Sequence, residues 1–187
     1  EINRIADKLV KAFNTNTFIK PIPVKYCKNI NLANKLRILC EDQINDETIG
    51  VKAGGTGIQA LKKLREKEPF IAKIFKKRFV KSGQKVKIYK NTKGIEVEVY
   101  YLIKKSFFDF KGKVTNKNIT KFIKFMGPCF EIVGFRQRNK KFTYLGDICG
   151  DFGFNIKFVV GRKTKFKKLN LNNLKTSLVS KKNGVKV

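Results

Sequence analysis

Two glutamates, Glu96 and Glu98, stand two residues apart in Ile95–Ile103, a run otherwise made of β-branched, aromatic and aliphatic side chains. Such a run reads as a β-strand, and strand side chains alternate with period two, so both carboxylates point to one face. Their Cβ atoms should lie roughly 6.5–7 Å apart on the pleat. Ionised carboxylates this close repel each other unless a cation sits between them. A hard divalent cation with oxygen ligands suits that geometry. The alternative is a solvated strand face that sets Glu against nearby lysines. A third acid, Glu131, stands in the apolar strand Phe130–Val133, and one lysine, Lys52, stands between Val51 and Ala53 in another.

The chain has no His, which rules out Ser-His-Asp and Cys-His triads. Proton chemistry must then use Lys, Glu, Asp, Tyr, Cys or a metal-bound water. Cys27, Cys40, Cys129 and Cys149 form no C-x-x-C pair, so a structural zinc site is not expected, and reduced thiols in a cytoplasmic protein are the simplest reading. The 43 Lys and Arg against 14 Asp and Glu give a formal net charge of +29. That charge points towards nucleic acid or an anionic surface. The lysines are spread over the whole chain, however, and accompany Asn, Ile and Phe, the set that AT-rich codons encode. Phe107, Phe108, Phe110, Phe152, Phe154 and Phe158 sit in apolar runs and read as core, not as stacking platforms. No apolar run approaches the ~20 residues that span a bilayer.

The elements that must position these residues follow from periodicity. Ile2, Ile5, Ala6, Leu9, Val10 and Phe13 recur at helical spacing, so residues 2–13 are expected to be an amphipathic helix. A second helix is expected over 31–44 with Asn31 as its N-cap. The strand at Ile49 runs into the glycine-rich Gly54–Gly57 loop and a helix over 58–67, stopped by Pro69. Such a loop either cradles an anion on its backbone or makes a tight turn. Strands are expected at Lys85–Tyr89, 95–103, Phe130–Val133 and Ile156–Val160, with a turn at Asn91–Gly94 and a helix over 118–126 ended by Gly127–Pro128. Leu174–Val179 and Val185–Val187 flank Asn183–Gly184 and read as a hairpin. That unfinished hairpin and the absent initiator Met suggest a longer native protein. At 187 residues the chain reads as one α+β domain, helical over about 1–48 and β-rich, with the chemistry, over 49–187.

The motifs in order resemble the 2-oxopent-4-enoate hydratases of the fumarylacetoacetase-like superfamily, whose relatives include oxalocrotonate decarboxylases. Gly50-x-Lys52-x-Gly54-x-Thr56 resembles the G-x-K-x-G-x-T segment, and Glu68–Pro69–Phe70 with Ile74–Phe75 the segment after it. Glu96-x-Glu98 resembles the metal-binding E-x-E strand, and Glu131–Ile132–Val133-x-x-Arg136 the E-I-V-D-S-R segment. Asp147-x-x-x-Asp151 resembles D-x-x-A-D-N, Phe158–Gly161 resembles F-V-L-G, and Leu174–Gly184 the strand and turn that follow. This chain departs from the pattern at Gly134, Phe152, Lys76 and Lys77, and carries extra glycines at Gly55 and Gly57.

The resemblance implies a mixed β-roll with helices at its edge. It implies magnesium or manganese on Glu96, Glu98 and Glu131, Lys52 as the catalytic lysine, and substrate contacts at Gly54, Thr56, Arg136 and Asp151. The implied reaction is addition of water to a 2-oxo-4-enoic acid, as in meta-cleavage catabolism of aromatic compounds. The implied partners are a small 2-oxo acid, further copies of the chain and a decarboxylase or hydratase subunit, without membrane or nucleic acid. A 4-oxalocrotonate-type decarboxylase is the sibling reading on the same site; a C–C hydrolase ranks lower without His. A non-enzymatic, basic nucleic-acid-binding protein is the reading from a different class.

Overall fold

The computed structural model describes residues 1–170 and 175–179. Three helices open the chain: α1 (Ile2–Thr15), α2 (Val24–Lys28) and α3 (Ile30–Asp42). Helix α1 forms where periodicity placed it and buries Ala6, Leu9, Ala12 and Phe13. It stops at Asn16, which takes the left-handed conformation (φ 53°) that Asn tolerates better than most residues. Helix α3 is capped by Asn29 in place of the expected Asn31; the Asn29 side chain accepts from the Asn31 and Leu32 amides at 2.9 and 3.1 Å.

Two sheets follow. Strands β1 (Thr48–Gly54) and β2 (Phe70–Phe75) form an antiparallel ribbon around the short helix α4 (Ile58–Lys63), with Lys52 opposite Ala72. Helix α4 ends four residues before the expected 67. The larger sheet has the order β3 (Phe79–Lys81), β6 (Asn155–Val160), β5 (Ile123–Gly134), β4 (Thr92–Ile103), and β7 (Thr164–Lys165) pairs with the start of β5. Helix α5 (Leu145–Cys149) lies between β5 and β6 in sequence and packs on α2 and α3. The core joins α1, α3 and Phe75 to Phe152, and α4, β2 and α5 to Ala33.

Three sequence expectations change. Lys85–Tyr89 is irregular, although its side chains alternate. The expected turn at Asn91–Gly94 belongs to β4, which begins at Thr92 with a register shift against Gly134 and Val133. The expected helix over 118–126 is a single 3-10 turn, Ile119–Phe122, that runs directly into β5. Gly127 and Pro128 therefore lie inside a strand. Pro128 is tolerated because β6 ends beside it. Its carbonyl accepts from Gly161 on that side, so its missing N–H removes no bond to β4.

The reading of the phenylalanines as core holds for Phe152 and Phe158, at 3% and 6% exposure. It is corrected for Phe108 and Phe110, which are 74% and 37% exposed. All four cysteines are buried and free. The Asn183–Gly184 turn and Leu174 lie outside the described residues. Among the described residues no helix is long and apolar enough to cross a membrane.

Candidate active site

The register of β4 and β5 sets Glu96 opposite Glu131 and Glu98 opposite Cys129. Directly opposed residues share a face, so the three glutamates and Cys129 line one side of the sheet. Glu131 is 2% exposed, while Glu96 and Glu98 are exposed.

The β1–β2 ribbon delivers Lys52 onto this face. The Lys52 ammonium donates to Glu131 Oε1 and Oε2 at 2.6 and 2.5 Å and to the Gly153 carbonyl at 2.9 Å. Its three N–H groups are thereby matched by three oxygens. Asn155 Nδ2 donates to Glu131 Oε1 at 3.3 Å. The pair is nearly closed to solvent, with side-chain exposures of 10% for Lys52 and 3% for Glu131. Removing one partner would strand the other's charge, which costs about 3–5 kcal/mol at a buried pair.

The Gly153 carbonyl reaches Lys52 through an unusual turn. Phe152, Gly153 and Phe154 all take positive φ, at 52°, 59° and 63°. For the two phenylalanines this costs roughly 1–2 kcal/mol each. Phe152 recovers part of that by stacking on Phe13, ring centres 4.2 Å apart at 27°. A Cβ at Gly153 would meet the Phe70 ring at 3.0 Å, so glycine lets the ribbon approach.

The carboxyls answer to burial and to one another. Burial pushes Glu131 above its ordinary value, the Lys52 charge and the Lys52 and Asn155 hydrogen bonds pull it back, and Glu96 adds a small push upward. Glu98 is raised by partial desolvation of its carboxyl and then by Glu96, against Lys52. Burial, with help from the Glu98 and Glu131 charges, pushes the Cys129 thiol to about 11. The neutral thiol is therefore a neighbour of the acids and not a nucleophile at neutral pH.

Four expected substrate contacts are placed differently from one another. Gly54 faces the Phe70 ring, which a Cβ would meet at 2.3 Å, so packing explains this glycine. Thr56 is exposed in the loop after β1. Arg136 and Asp151 are both 0% exposed. The Arg136 amide donates to Asp151 Oδ2 at 2.8 Å and its Nη1 to Oδ1 at 2.9 Å. Arg136 Nη2 donates to the Asn155 carbonyl. In this structure the pair expected at the substrate is enclosed, and both of its members are bonded within the protein. It holds the backbone of Asn155, whose side chain holds Glu131. Asn155, Gly153 and Cys129 were not singled out as site residues in the sequence; only the strand pairing and the Phe152–Phe154 turn bring them in.

The donor set fits a hard divalent cation in type, carboxylate oxygens on one face, although Lys52 occupies both Glu131 oxygens in this structure and would have to release them. Convergence is not complete. Among the described residues no three His, Cys, Asp or Glu side chains group closely enough to hold an ion. The exposed Glu96 and Glu98 side chains would have to turn towards Glu131.

No family model matches the sequence, and no curated protein sequence matches it. Solved structures do resemble the fold. The 4-oxalocrotonate decarboxylase from Pseudomonas putida G7, complexed with magnesium and adipate, aligns with a TM-score of 0.70 at 14% identity. That alignment covers 88% of this chain and 64% of the decarboxylase. The same enzyme complexed with calcium and acetate aligns with a TM-score of 0.68 at 12% identity, over 88% and 63% of the two chains. This chain thus spans about 64% of the length of the protein it resembles. The likeness bears out the mixed α+β architecture.

Proposed function

We propose that the protein is a divalent-metal-dependent lyase acting on a 2-oxo acid, with addition of water to a 2-oxo-4-enoic acid as its reaction. The observation that carries this is the Lys52 ammonium bound to both Glu131 oxygens on the face shared with Glu96 and Glu98. The ordered motifs and the fold likeness to an enzyme solved with magnesium and a dicarboxylate support it.

Glu96, Glu98 and Glu131 would hold Mg2+ or Mn2+. Bound there, the ion would supply Lewis-acid stabilisation of negative charge on the substrate's 2-oxo group. Lys52 answers to the same carboxylate. Once Glu131 gives up its bonds to Lys52, the ammonium keeps the Gly153 carbonyl and has donors free. They can meet negative charge that develops only as the reaction proceeds, which is where a charged donor accelerates a step. Buried Asn155 and the Arg136–Asp151 pair keep Glu131 in place during that exchange.

Lys52→Met tests this. It keeps much of the stem and removes the charge. Turnover of a 2-oxo-4-enoate should fall by roughly 10²-fold or more, the scale of losing a proton donor. Manganese affinity, read by calorimetry, should stay unchanged or rise, because a competing cation is gone. A folded Lys52→Met protein with wild-type turnover removes Lys52 from the mechanism. Decarboxylation of a 2-oxo-3-enedioic acid is the second reading, favoured by the fold neighbours. Release of carbon dioxide from that substrate, without hydration of the enoate, would replace the first reaction by the second.

A further inference from the structure

The opposite face of the large sheet carries a second cluster, made of cations. Lys157 pairs across β6 and β5 with Ile132, one position out of phase with Glu131, so its side chain leaves the sheet on the other side. There it enters a cavity of about 230 Å³ whose lining includes Arg78, Lys77, Asn16, Tyr89 and Asp46.

The charges in this cavity do not balance. Arg78 is 6% exposed and lies over the Phe13 ring, its guanidinium carbon 3.8 Å from the ring centre. Its Nη1 donates to Asn16 Oδ1 at 3.0 Å and the Ile156 carbonyl at 3.3 Å, and its Nη2 to the Phe13 carbonyl. All three acceptors are neutral, and a guanidinium has five N–H donors. The Lys157 ammonium donates to another neutral oxygen, the Lys77 carbonyl, at 2.5 Å. Asp46 is the acid in the lining, but its oxygens accept from the Glu47 and Lys77 amides at 3.0 and 2.8 Å. Among the described residues neither Arg78 nor Lys157 has a carboxylate within ion-pair distance. Buried charges are ordinarily paired, and an unpaired one such as Arg78 is expensive, while Lys157 is only half-buried. Burial first, and then the neighbouring guanidinium, hold Lys157 below its ordinary value. Burial and the Arg136 charge do the same to Arg78, and the Asp46 charge opposes both shifts without outweighing them.

We propose that this cavity binds a small oxyanion of the phosphate class, held between the Arg78 guanidinium and the Lys157 ammonium. A tetrahedral oxyanion can accept from both at once and adds negative charge to a lining in which Asp46 faces three cations, Lys77, Arg78 and Lys157. Asn16 and Tyr89 belong to the same lining. The site is separate from the carboxylate face and does not depend on the reaction proposed there.

Calorimetry with inorganic phosphate, at constant ionic strength maintained with chloride, should show one saturable site. Lys157→Met should weaken it at least about tenfold, the scale of losing one charge-assisted contact. Lys117→Met, at an exposed position, should leave it unchanged. On the unaltered protein, phosphate should slow acetylation of Lys157 relative to Lys117, read by mass spectrometry; this arm needs no variant to fold. Absence of a saturable site, equal weakening by both variants, or phosphate that protects both lysines alike would each overturn the proposal.

Discussion

At the scale of the residue, charge burial separates what supports the site from what acts in it. Arg136 and Asp151 carry the resemblance to a substrate-binding motif, yet both are fully enclosed and bonded to each other. Asp151→Asn leaves the guanidinium buried without its counter-charge. It should cost about 3–5 kcal/mol in urea denaturation, and a loss under 1 kcal/mol would show that the pair is not structural. Gly134 stands where the motif that this segment resembles has an aspartate. A Cβ there would lie 2.1 Å from the Asn91 carbonyl oxygen and 3.0 Å from Thr92 Cα, both backbone atoms. Gly134→Asp, although it restores the motif, should therefore block folding or lower the thermal midpoint by many degrees. The departure was legible in the sequence; its cause was not, because the clash comes from Asn91 and Thr92 at the start of β4, far earlier in the chain.

At the scale of the element, local patterns were legible where local interactions decide the outcome. Helix α1 and the Glu96–Glu98 strand were, since one apolar stripe or one alternation specifies each. Residues 118–126 were not. Ile119, Phe122, Ile123 and Met126 recur at helical spacing, but from Ile123 the segment pairs with β4, and Phe125 and Met126 pair with β7 as well, so ladder bonds override the periodicity there. The site residues followed the same division. Glu96 and Glu98 could be read from alternation, whereas Asn155 and Gly153 reach Glu131 and Lys52 only through strand pairing and the left-handed turn.

Helix α5 shows an element held by one side chain. Asp147 Oδ2 accepts from the Thr143 and Tyr144 amides at 2.9 Å each, and Lys140 stands 3.0 Å from Oδ1. Burial alone would raise this carboxyl, but the two amides, with Cys27 and Lys140, outweigh it and hold it below its ordinary 3.8. Asp147→Ala should cost about 2 kcal/mol at neutral pH, as for a strong cap with charge-assisted bonds. A lowered folded value means the contribution is complete above about 3.8 and fades as the pH falls through the folded value below it. The stability gap between wild type and Asp147→Ala should therefore narrow below pH ~3.8 and stay constant between pH 5 and 8. A gap that narrows at neutral pH would assign the effect to another group.

At the scale of the whole molecule, a net charge of +29 on 187 residues and an open sheet edge oppose each other. Strand β4 ends the strand order of the large sheet, and Ile95, Leu102 and Ile103 on it are 49%, 45% and 37% exposed. Among the described residues nothing pairs with this edge, and an unpaired, apolar edge invites pairing with another chain. Like charge keeps chains apart over about the Debye length, ~30 Å at 0.01 M salt and ~8 Å at 0.15 M. Salt should therefore act twice. Screening relieves repulsion within the chain, so the thermal midpoint of dilute protein should rise between those two concentrations. Screening also lets chains meet, so light scattering of concentrated protein should rise over the same range. Leu102→Lys adds one charge to the edge and removes an apolar contact. It should suppress the scattering and leave the salt dependence of the midpoint unchanged. If the scattering is unaffected, association uses another surface. If wild type instead forms a discrete oligomer that Leu102→Lys dissociates, the edge is an interface between copies of the chain.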